Sequence, residues 1–206
     1  MDIKKFTAVS GIGAFFMAVA GSMILGIMKP GYDPLMLTIS ELGESGGVNS
    51  FYARVLFIIF GVFEIIFAAG LFIRLKGSLK GIAGSVAIGF KGLFDSIGSG
   101  VFPCDFGGLY ESFSGKMHFI VSIIGVAMML IAPLLVYDAM KKDGSFKDIR
   151  IISAARFILA SSVLLFTLSF FTGLLPGLSQ RIMYYLYYLW LLFVSIKILG
   201  EKKAEV

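Results

Sequence analysis

The stretch YARVLFIIFGVFEIIFAAGLFI, residues 52–73, decides the fold, because it contains only two charged side chains, Arg54 and Glu64. An apolar run of about 20 residues is the length that a helix needs to cross roughly 30 Å of hydrocarbon. The basic segment RLKGSLK, residues 74–80, follows at once, and basic residues beside a span favour the cytoplasmic side. We therefore predict a transmembrane helix that ends at the cytoplasm.

The composition of the whole chain points the same way. Of the 206 residues, 58% are hydrophobic and 15% are charged, and the mean hydropathy is +0.92, far outside the range of soluble globular proteins. The net charge of +5 comes from clusters beside the apolar runs, so the partner that we predict is membrane lipid and not nucleic acid. A single cysteine and a single histidine exclude an internal disulfide, a bis-histidine haem and a three-histidine zinc site, and we predict no cofactor.

Further apolar runs on either side of residues 52–73 predict an all-α, polytopic integral membrane protein. The predicted spans are residues 6–27, 52–73, 81–102, 117–137, 151–175 and 182–199. The basic positions that flank them are residues 74–80 and 138–150 together with Lys4, Lys5, Lys202 and Lys203. An even number of spans with both termini in the cytoplasm satisfies this distribution. We predict one domain, residues 1–206, that forms a single six-helix bundle in the cell membrane.

Three ionisable side chains lie deep inside predicted spans: Glu64, Lys91 and Asp95. At 1.5 Å per residue, Glu64 is about 18 Å and Lys91 about 16 Å below the same surface. Asp95 follows Lys91 by one helical turn on the same face. We expect a cluster of these three side chains in the bundle interior, either as a structural ion network or as a site for a proton or a headgroup.

The outer end of the bundle collects other polar side chains. Residues 28–50 form a long, half-apolar connection that we expect to fold back onto the bundle. The segment PGLSQRI, residues 176–182, opens the last span at the same level. An arginine at this level could bind a phosphate or a carboxylate through two parallel hydrogen bonds, or neutralise a nearby acid. The side chains placed here are Ser40, Glu41, Gln180 and Arg181.

The stretch GSGVFPCDFGGLYESFSGKMHFIV, residues 98–121, adds an acid and an imidazole to this end. Pro103 should stop the third helix at the outer surface. His118 lies near the outer start of the fourth helix, so we expect Asp105 and His118 to lie at the same depth. They could act as a general acid and base, with Ser40 or Glu41 as a nucleophile or a further carboxylate. Alternatively, Glu41, Asp105 and His118 could bind a divalent metal, or the whole set could be a polar network that caps helix ends.

A resemblance to a known family rests on four of these segments. ISELG (39–43), GVFPCD (100–105), His118 and GLSQRI (177–182) occur in the order in which they occur in the six-helix membrane family called domain of unknown function 998, and the chain resembles that family over nearly its whole length. The resemblance implies that the polar outer residues form a set. That set is Ser40, Glu41, Asp105, His118, Gln180 and Arg181.

A more distant resemblance joins ISELG and His118 to the pattern of the FRAG, DRAM and Sfk group of six-span proteins. Members of that group are linked to GPI-lipid remodelling, lysosomal autophagy control and membrane lipid organisation. Any role carried over from them would rest on fold-level analogy.

Three functions remain open at this point. The first is binding or processing of a lipid headgroup in a polar pocket open to the extracytoplasmic leaflet. Its rim would be Glu41, Asp105, His118 and Arg181, and its floor the charge cluster. The second is a small proton-coupled transporter that uses the intramembrane acids and lysine, although the spans show neither internal repeats nor breaks. The third is a non-catalytic membrane scaffold. The residues leave open whether the protein is an enzyme and name no protein partner.

Overall fold

The structure is a computed structural model that describes residues 2–142 and 149–200, with side chains described for 2–141 and 158–200. Its helices confirm the all-α, six-helix prediction. They are α1 (Ile3–Met28), α2 (Ser50–Leu75), α3 (residues 79–101), α4 (Phe113–Lys142), α5 (Ile149–Thr172) and α6 (Pro176–Gly200).

Four of these helices, α1, α2, α4 and α6, are long and apolar enough to cross a membrane by length and composition. Within the described side chains, the apolar part of α5 is the shorter helix Ile158–Thr172. Helix α3 begins as the regular α-helix Leu79–Lys91, continues in a segment of different winding and ends with α-helical Gly98–Val101. The cytoplasmic location of the termini stays a prediction, and Lys147, Lys202 and Lys203, on which it partly depends, lie outside the described residues.

The helices form a closed ring. Each helix packs against its neighbours in sequence, and α1 also packs against α6. The loops 29–49, 102–112 and 173–175 gather at one end, which we call the long-loop end. The even number of helices brings the beginning of α1 and the end of α6 together at the opposite end.

Among the described residues, two helices contain a π-helical segment, a feature that the sequence analysis did not predict. Met17–Gly21 interrupts α1, and Gly92–Ile97 interrupts α3. A π segment holds an additional residue in its turn and is frequent at functional sites. No apolar run in the sequence reveals such a change of winding, because hydropathy does not report how a helix is wound.

The start of α6 is a correction to the predicted spans. The prediction places it at residue 182, but the helix begins at Pro176. Proline is favoured at the first position of a helix, because its fixed φ suits the helix and its missing N–H would have no helical partner there. Gln180 and Arg181 therefore lie inside the first turns of α6 and not in a loop.

Glycines let α2 and α3 approach to backbone contact. A Cβ atom on Gly61 would lie 2.8 Å from the carbonyl oxygen of Gly92, and one on Gly92 would lie 2.9 Å from Cβ of Glu64. Any larger side chain at either position would separate the helices. This contact sets the register that brings the charged side chains of the two helices together.

Candidate functional site

The centre of the bundle is organised around the ammonium group of Lys91. Its Nζ lies 2.9 Å from Oε1 of Glu64 and 3.4 Å from Oδ2 of Asp95. These two contacts are ion pairs, and the directed hydrogen bonds of the ammonium go to the hydroxyls of Tyr188 at 2.6 Å and Ser96 at 3.1 Å. Lys91 and Glu64 are fully buried, and Asp95 is 4% exposed. The structure therefore brings the three predicted charges into one group.

Hydroxyl groups donate to one oxygen of each carboxylate, whereas Oε1 of Glu64 has the ion pair with Lys91 and no hydrogen bond among the described residues. Ser96 donates to Oε2 of Glu64 at 2.6 Å, and Tyr184 donates to Oδ1 of Asp95 at 2.8 Å. Buried ionised groups are tolerated only when they are paired and their remaining lone pairs are satisfied. We call Glu64, Lys91, Asp95, Ser96, Tyr184 and Tyr188 the inner cluster.

The π segment of α3 makes this arrangement possible. In a regular α-helix, positions five residues apart are about 140° apart around the axis, so Ser96 would point away from Lys91. In a π segment, hydrogen bonds join residues five apart, which brings such positions onto one face. Gly92–Ile97 is wound in this way, and both Asp95 and Ser96 contact Lys91.

Aromatic rings enclose the ammonium on its remaining sides. The Nζ of Lys91 lies 4.5 Å from the ring centroid of Tyr188, 5.1 Å from that of Tyr187 and 5.3 Å from that of Tyr184. The ring of Phe60 in α2 is 5.8 Å away. Each of these distances is within the range in which a cation is attracted to a ring face.

A small cavity lies between the inner cluster and the long-loop end. Its volume is about 30 Å³. Asp95, Ser96 and Ser99 line it on the α3 side, and Ile39 and Ser40 line it on the loop side. Ala18 of α1 and rings from α2 and α6 form its remaining wall, the rings being Phe57, Phe60, Tyr184, Tyr185 and Tyr188. Asp95 is thus the carboxylate that faces the cavity, whereas Glu64 is not among its lining residues.

Arg181 and Gln180 hold the long first loop onto the bundle. Arg181 donates to the carbonyl oxygens of Pro34 and Leu37, each at 2.8 Å, and to the hydroxyl of Tyr32. The side-chain oxygen of Gln180 accepts from the N–H of Ile39 at 2.5 Å. Burial raises the pKa of Tyr32 to about 12, so this phenol is neutral at neutral pH. Arg181 makes no ion pair with a carboxylate among the described residues.

The acids of the first loop are also bonded to loop residues of the protein. Oε2 of Glu41 accepts from the N–H and the hydroxyl of Thr38, at 2.6 and 2.8 Å. Glu44 pairs with Lys29 at 2.6 Å and accepts from the N–H of Gly107 at 2.7 Å. Glu41 is 8% exposed and Glu44 is 4% exposed. The loop is therefore a folded cover on the long-loop end, as the half-apolar sequence predicts.

Asp105 organises the second loop. Its carboxylate accepts from the N–H groups of Glu111 and Ser112, at 2.7 and 2.8 Å, and from the hydroxyl of Ser112 at 2.5 Å. These hydrogen bonds, that of the Ser112 hydroxyl first, hold the pKa of Asp105 below its usual value. This is a turn-stabilising arrangement that leaves little of the carboxylate available for a ligand.

His118 and Cys104 are buried near this loop. Nδ1 of His118 lies 2.8 Å from the carbonyl oxygen of Phe102, the ring stacks on Tyr110, and Nε2 has no hydrogen-bond partner among the described residues. Sγ of Cys104 lies 3.5 Å from the carbonyl oxygen of Ser40. Burial, with a smaller contribution from nearby carboxylates, raises the pKa of Cys104 to about 12. Cys104 is therefore a thiol at neutral pH and a poor nucleophile.

The predicted outer set does not converge on one point. Ser40 and Gln180 lie together, with Oγ and Nε2 3.5 Å apart, but Asp105, His118 and Arg181 are each engaged with a different stretch of backbone. Across the described residues, no three His, Cys, Asp or Glu side chains are placed to hold a metal ion. The interpretation of Glu41, Asp105 and His118 as metal ligands therefore has no support in this geometry.

Sequence reasoning missed the tyrosines and serines of the inner cluster. The run MYYLYYLW, residues 183–190, predicts an aromatic face but does not say what it packs against. Tyr184 and Tyr188 are four residues apart and so share one face of α6. That spacing was the available signal: two phenols on one face can serve a polar group inside the bundle.

The fold and the inner cluster define a polytopic helical membrane protein with a paired charge group in its interior. Within that class, the chain belongs to the family described as protein of unknown function (DUF998), whose model matches residues 12–197. No curated protein and no solved structure matches the chain. The more distant resemblance to the FRAG, DRAM and Sfk group stays a prediction.

Proposed function

We propose that this protein binds and exchanges a proton at the inner cluster, as a small proton-coupled carrier of the cell membrane. The observation that carries the proposal is the charge of the buried group beside the cavity. Two carboxylates, Glu64 and Asp95, share one ammonium, Lys91. With all three groups ionised, the cluster has one negative charge in excess.

An excess charge in the bundle interior is expensive. Separating an ion from water costs several kcal/mol even after relaxation, and membrane burial adds to the demand for pairing. One proton shared by the two acids removes the excess, because the cluster then holds one carboxylate, one carboxylic acid and one ammonium. Such a pair of acids titrates as a unit. A single exchangeable proton is therefore the simplest occupant of this group.

The cavity supplies a route for that proton. It touches Asp95 on one side and Ser40 on the other, and Ser40 is only partly buried at the long-loop end. A polar cavity needs about 10–15 Å³ for a water molecule, so 30 Å³ suffices for water to reach the carboxylate. Asp95 is thus the group that exchanges the proton, and Glu64 tunes its affinity through Lys91.

The geometry suits a proton better than a lipid headgroup. Pockets for small-molecule ligands typically have volumes of about 300–1,000 Å³, whereas this cavity has about 30 Å³. The residues that would form a headgroup rim, Glu41, Asp105, His118 and Arg181, are bonded to backbone or hydroxyl groups of the protein itself. We therefore propose a proton as the exchanged ligand and lipid as the surroundings of the spans.

The proposal is tested by infrared titration of the purified protein in mild detergent. The wild type should show a protonated carboxyl band at neutral pH that disappears at higher pH. Asp95→Asn and Glu64→Gln should each lose that band, because one acid and one ammonium leave no proton to share. The control Glu111→Gln removes an exposed acid and should keep the band. A wild type without a protonated carboxyl at neutral pH would refute the proposal.

A further inference from the structure

We infer that the cavity beside Asp95 is a binding site for a small primary ammonium cation of the methylammonium class, which takes the place of the shared proton. The inference rests on the proposed function, because it uses Asp95 as the exchanging carboxylate. It adds the chemical class of the second ligand. The cavity wall, the internal lysine and the cavity volume each support it.

The wall combines the groups that an ammonium ion needs. The carboxylate of Asp95 offers the opposite charge, and the hydroxyls of Ser96 and Ser99 offer acceptors for N–H groups. The rest is mostly aromatic, with Phe60, Tyr184 and Tyr188 among the rings. Ring faces attract alkylammonium ions while accommodating their methyl groups. A phosphate or a carboxylate would meet a like charge at Asp95, so the wall selects for cations.

The protein already holds an ammonium group against the same side chains. Nζ of Lys91 contacts Asp95 and lies within 6 Å of the ring centroids of Phe60, Tyr184 and Tyr188. All four of these side chains also line the cavity. The side-chain ammonium of Lys91 thus shows that these groups bind an ammonium ion. A free ammonium ion would approach Asp95 from the cavity side.

The volume limits the size of the ligand. About 30 Å³ is two to three times the roughly 10–15 Å³ that one water molecule requires. Ammonium and methylammonium, with one and two non-hydrogen atoms, fit this space. We expect tetramethylammonium, with five non-hydrogen atoms, to bind more weakly than these smaller cations.

Binding of the cation should release a proton. The cluster is neutral when it holds two carboxyl groups, one ammonium and one proton, and it is neutral again when the cation replaces that proton. A cluster that held both the shared proton and the cation would carry a net positive charge. A cluster that held neither of them would carry a net negative charge. Cation affinity should therefore rise with pH and reach a plateau once the shared proton has left, with one proton released per cation bound.

The test measures binding of radiolabelled methylammonium to the purified wild type by equilibrium dialysis, with infrared titration of the same preparation. We expect saturable binding of one cation per chain, at least tenfold weaker binding to Asp95→Asn, and wild-type binding to Glu111→Gln. Ser99→Leu and Ser40→Leu fill the cavity from opposite sides and should each prevent binding. Unlabelled ammonium should compete more strongly than tetramethylammonium.

Several results would overturn the inference. They are the absence of methylammonium binding, equal binding to the wild type and Asp95→Asn, unchanged binding to both leucine variants, or competition by tetramethylammonium equal to that by ammonium. Competition by sodium or potassium alone would assign the cavity to an alkali cation and would also overturn it. If methylammonium fails to bind while the protonated carboxyl band is present, only this inference falls. If the band is absent too, the proposed function falls with it.

Discussion

The inner cluster and the long-loop end use the same kinds of side chain for different purposes. In the inner cluster, Lys91 is bonded to side chains of α2, α3 and α6. At the long-loop end, Arg181 and Gln180 are bonded mainly to backbone groups of residues 34–39. A charge that bonds to backbone fixes the path of the chain. A charge that bonds only to other ionisable groups and hydroxyls retains the capacity to titrate.

This difference separates two roles that sequence reasoning placed in one pocket. The long-loop end holds the first loop in place over the cavity, which that loop lines with Ile39 and Ser40. The inner cluster supplies the exchangeable charge. Variants of the two regions should therefore differ in kind: changes at the long-loop end should alter stability and access, and changes in the inner cluster should alter proton binding.

The largest effect on stability is expected for Lys91→Met. This change leaves Glu64 and Asp95 together in the bundle interior without their ammonium partner. Loss of one partner of a buried ion pair costs about 3–5 kcal/mol, and we expect a corresponding loss in the free energy of unfolding in detergent. Adding Glu64→Gln should recover much of the loss, because one repelling charge is then absent. A Lys91→Met protein that unfolds like the wild type would contradict the central role of the ammonium.

Arg181→Met should have the next largest effect. It keeps the aliphatic part of the side chain but removes the hydrogen bonds to Pro34, Leu37 and Tyr32. Hydrogen bonds of a charged group contribute about 1.5–3 kcal/mol, so we expect a loss of about 2–3 kcal/mol. Amide exchange should increase in residues 32–39, while the protonated carboxyl band remains. Loss of that band in an otherwise folded variant would show that the two regions are coupled.

Gln180→Ala should have a smaller effect on stability, which is best measured as the access of a reagent to Cys104. It leaves the N–H of Ile39 without its partner, at a cost of about 1 kcal/mol. Cys104 is fully buried beneath the neighbouring Ser40 carbonyl, so opening of the loop should expose it. We expect maleimide labelling of Cys104 to be slow in the wild type and about fivefold faster in the variant. Equal rates would mean that Gln180 does not hold this segment.

The smallest effect is the acid dependence of the second loop. Hydrogen bonds lower the pKa of Asp105 in the folded state, so its contribution to stability is present above the ordinary value of about 3.9. The contribution is lost as the pH falls through the lowered pKa. Amide exchange of residues 105–112 should therefore increase only in strong acid. Asp105→Asn should remove that pH dependence, and an unchanged dependence would assign it to another group.

Most of the fold could be predicted from the sequence, because hydrophobic length and charge asymmetry are properties of single segments. A helical rise of 1.5 Å per residue predicts that Glu64 and Lys91 lie at similar depth, and the structure places Nζ of Lys91 2.9 Å from Oε1 of Glu64. The contacts of the outer set were harder to predict, because the depth of a residue in the bundle does not determine the direction of its side chain. Arg181 turns toward the carbonyl groups of residues 34 and 37, which no motif at 176–182 reveals.

The π segment of α3 was beyond sequence reasoning for a physical reason. Its winding depends on tertiary contacts, among them the glycine contact between Gly61 and Gly92 and the packing of Gly125 against Asp95. Without it, Ser96 would be predicted on the wrong face. The inner cluster was therefore foreseen as three charges, and its hydroxyl partners emerged only from the structure.

Proton flux in proteoliposomes compares the two regions most directly. Wild type, Asp95→Asn and Asp105→Asn would be reconstituted at equal density with an internal pH dye, and a proton gradient would be applied with and without methylammonium. We expect that Asp95→Asn abolishes the protein-dependent flux and that Asp105→Asn retains it. A flux that survives Asp95→Asn, or that is lost only in Asp105→Asn, would place the function at the long-loop end and contradict the account.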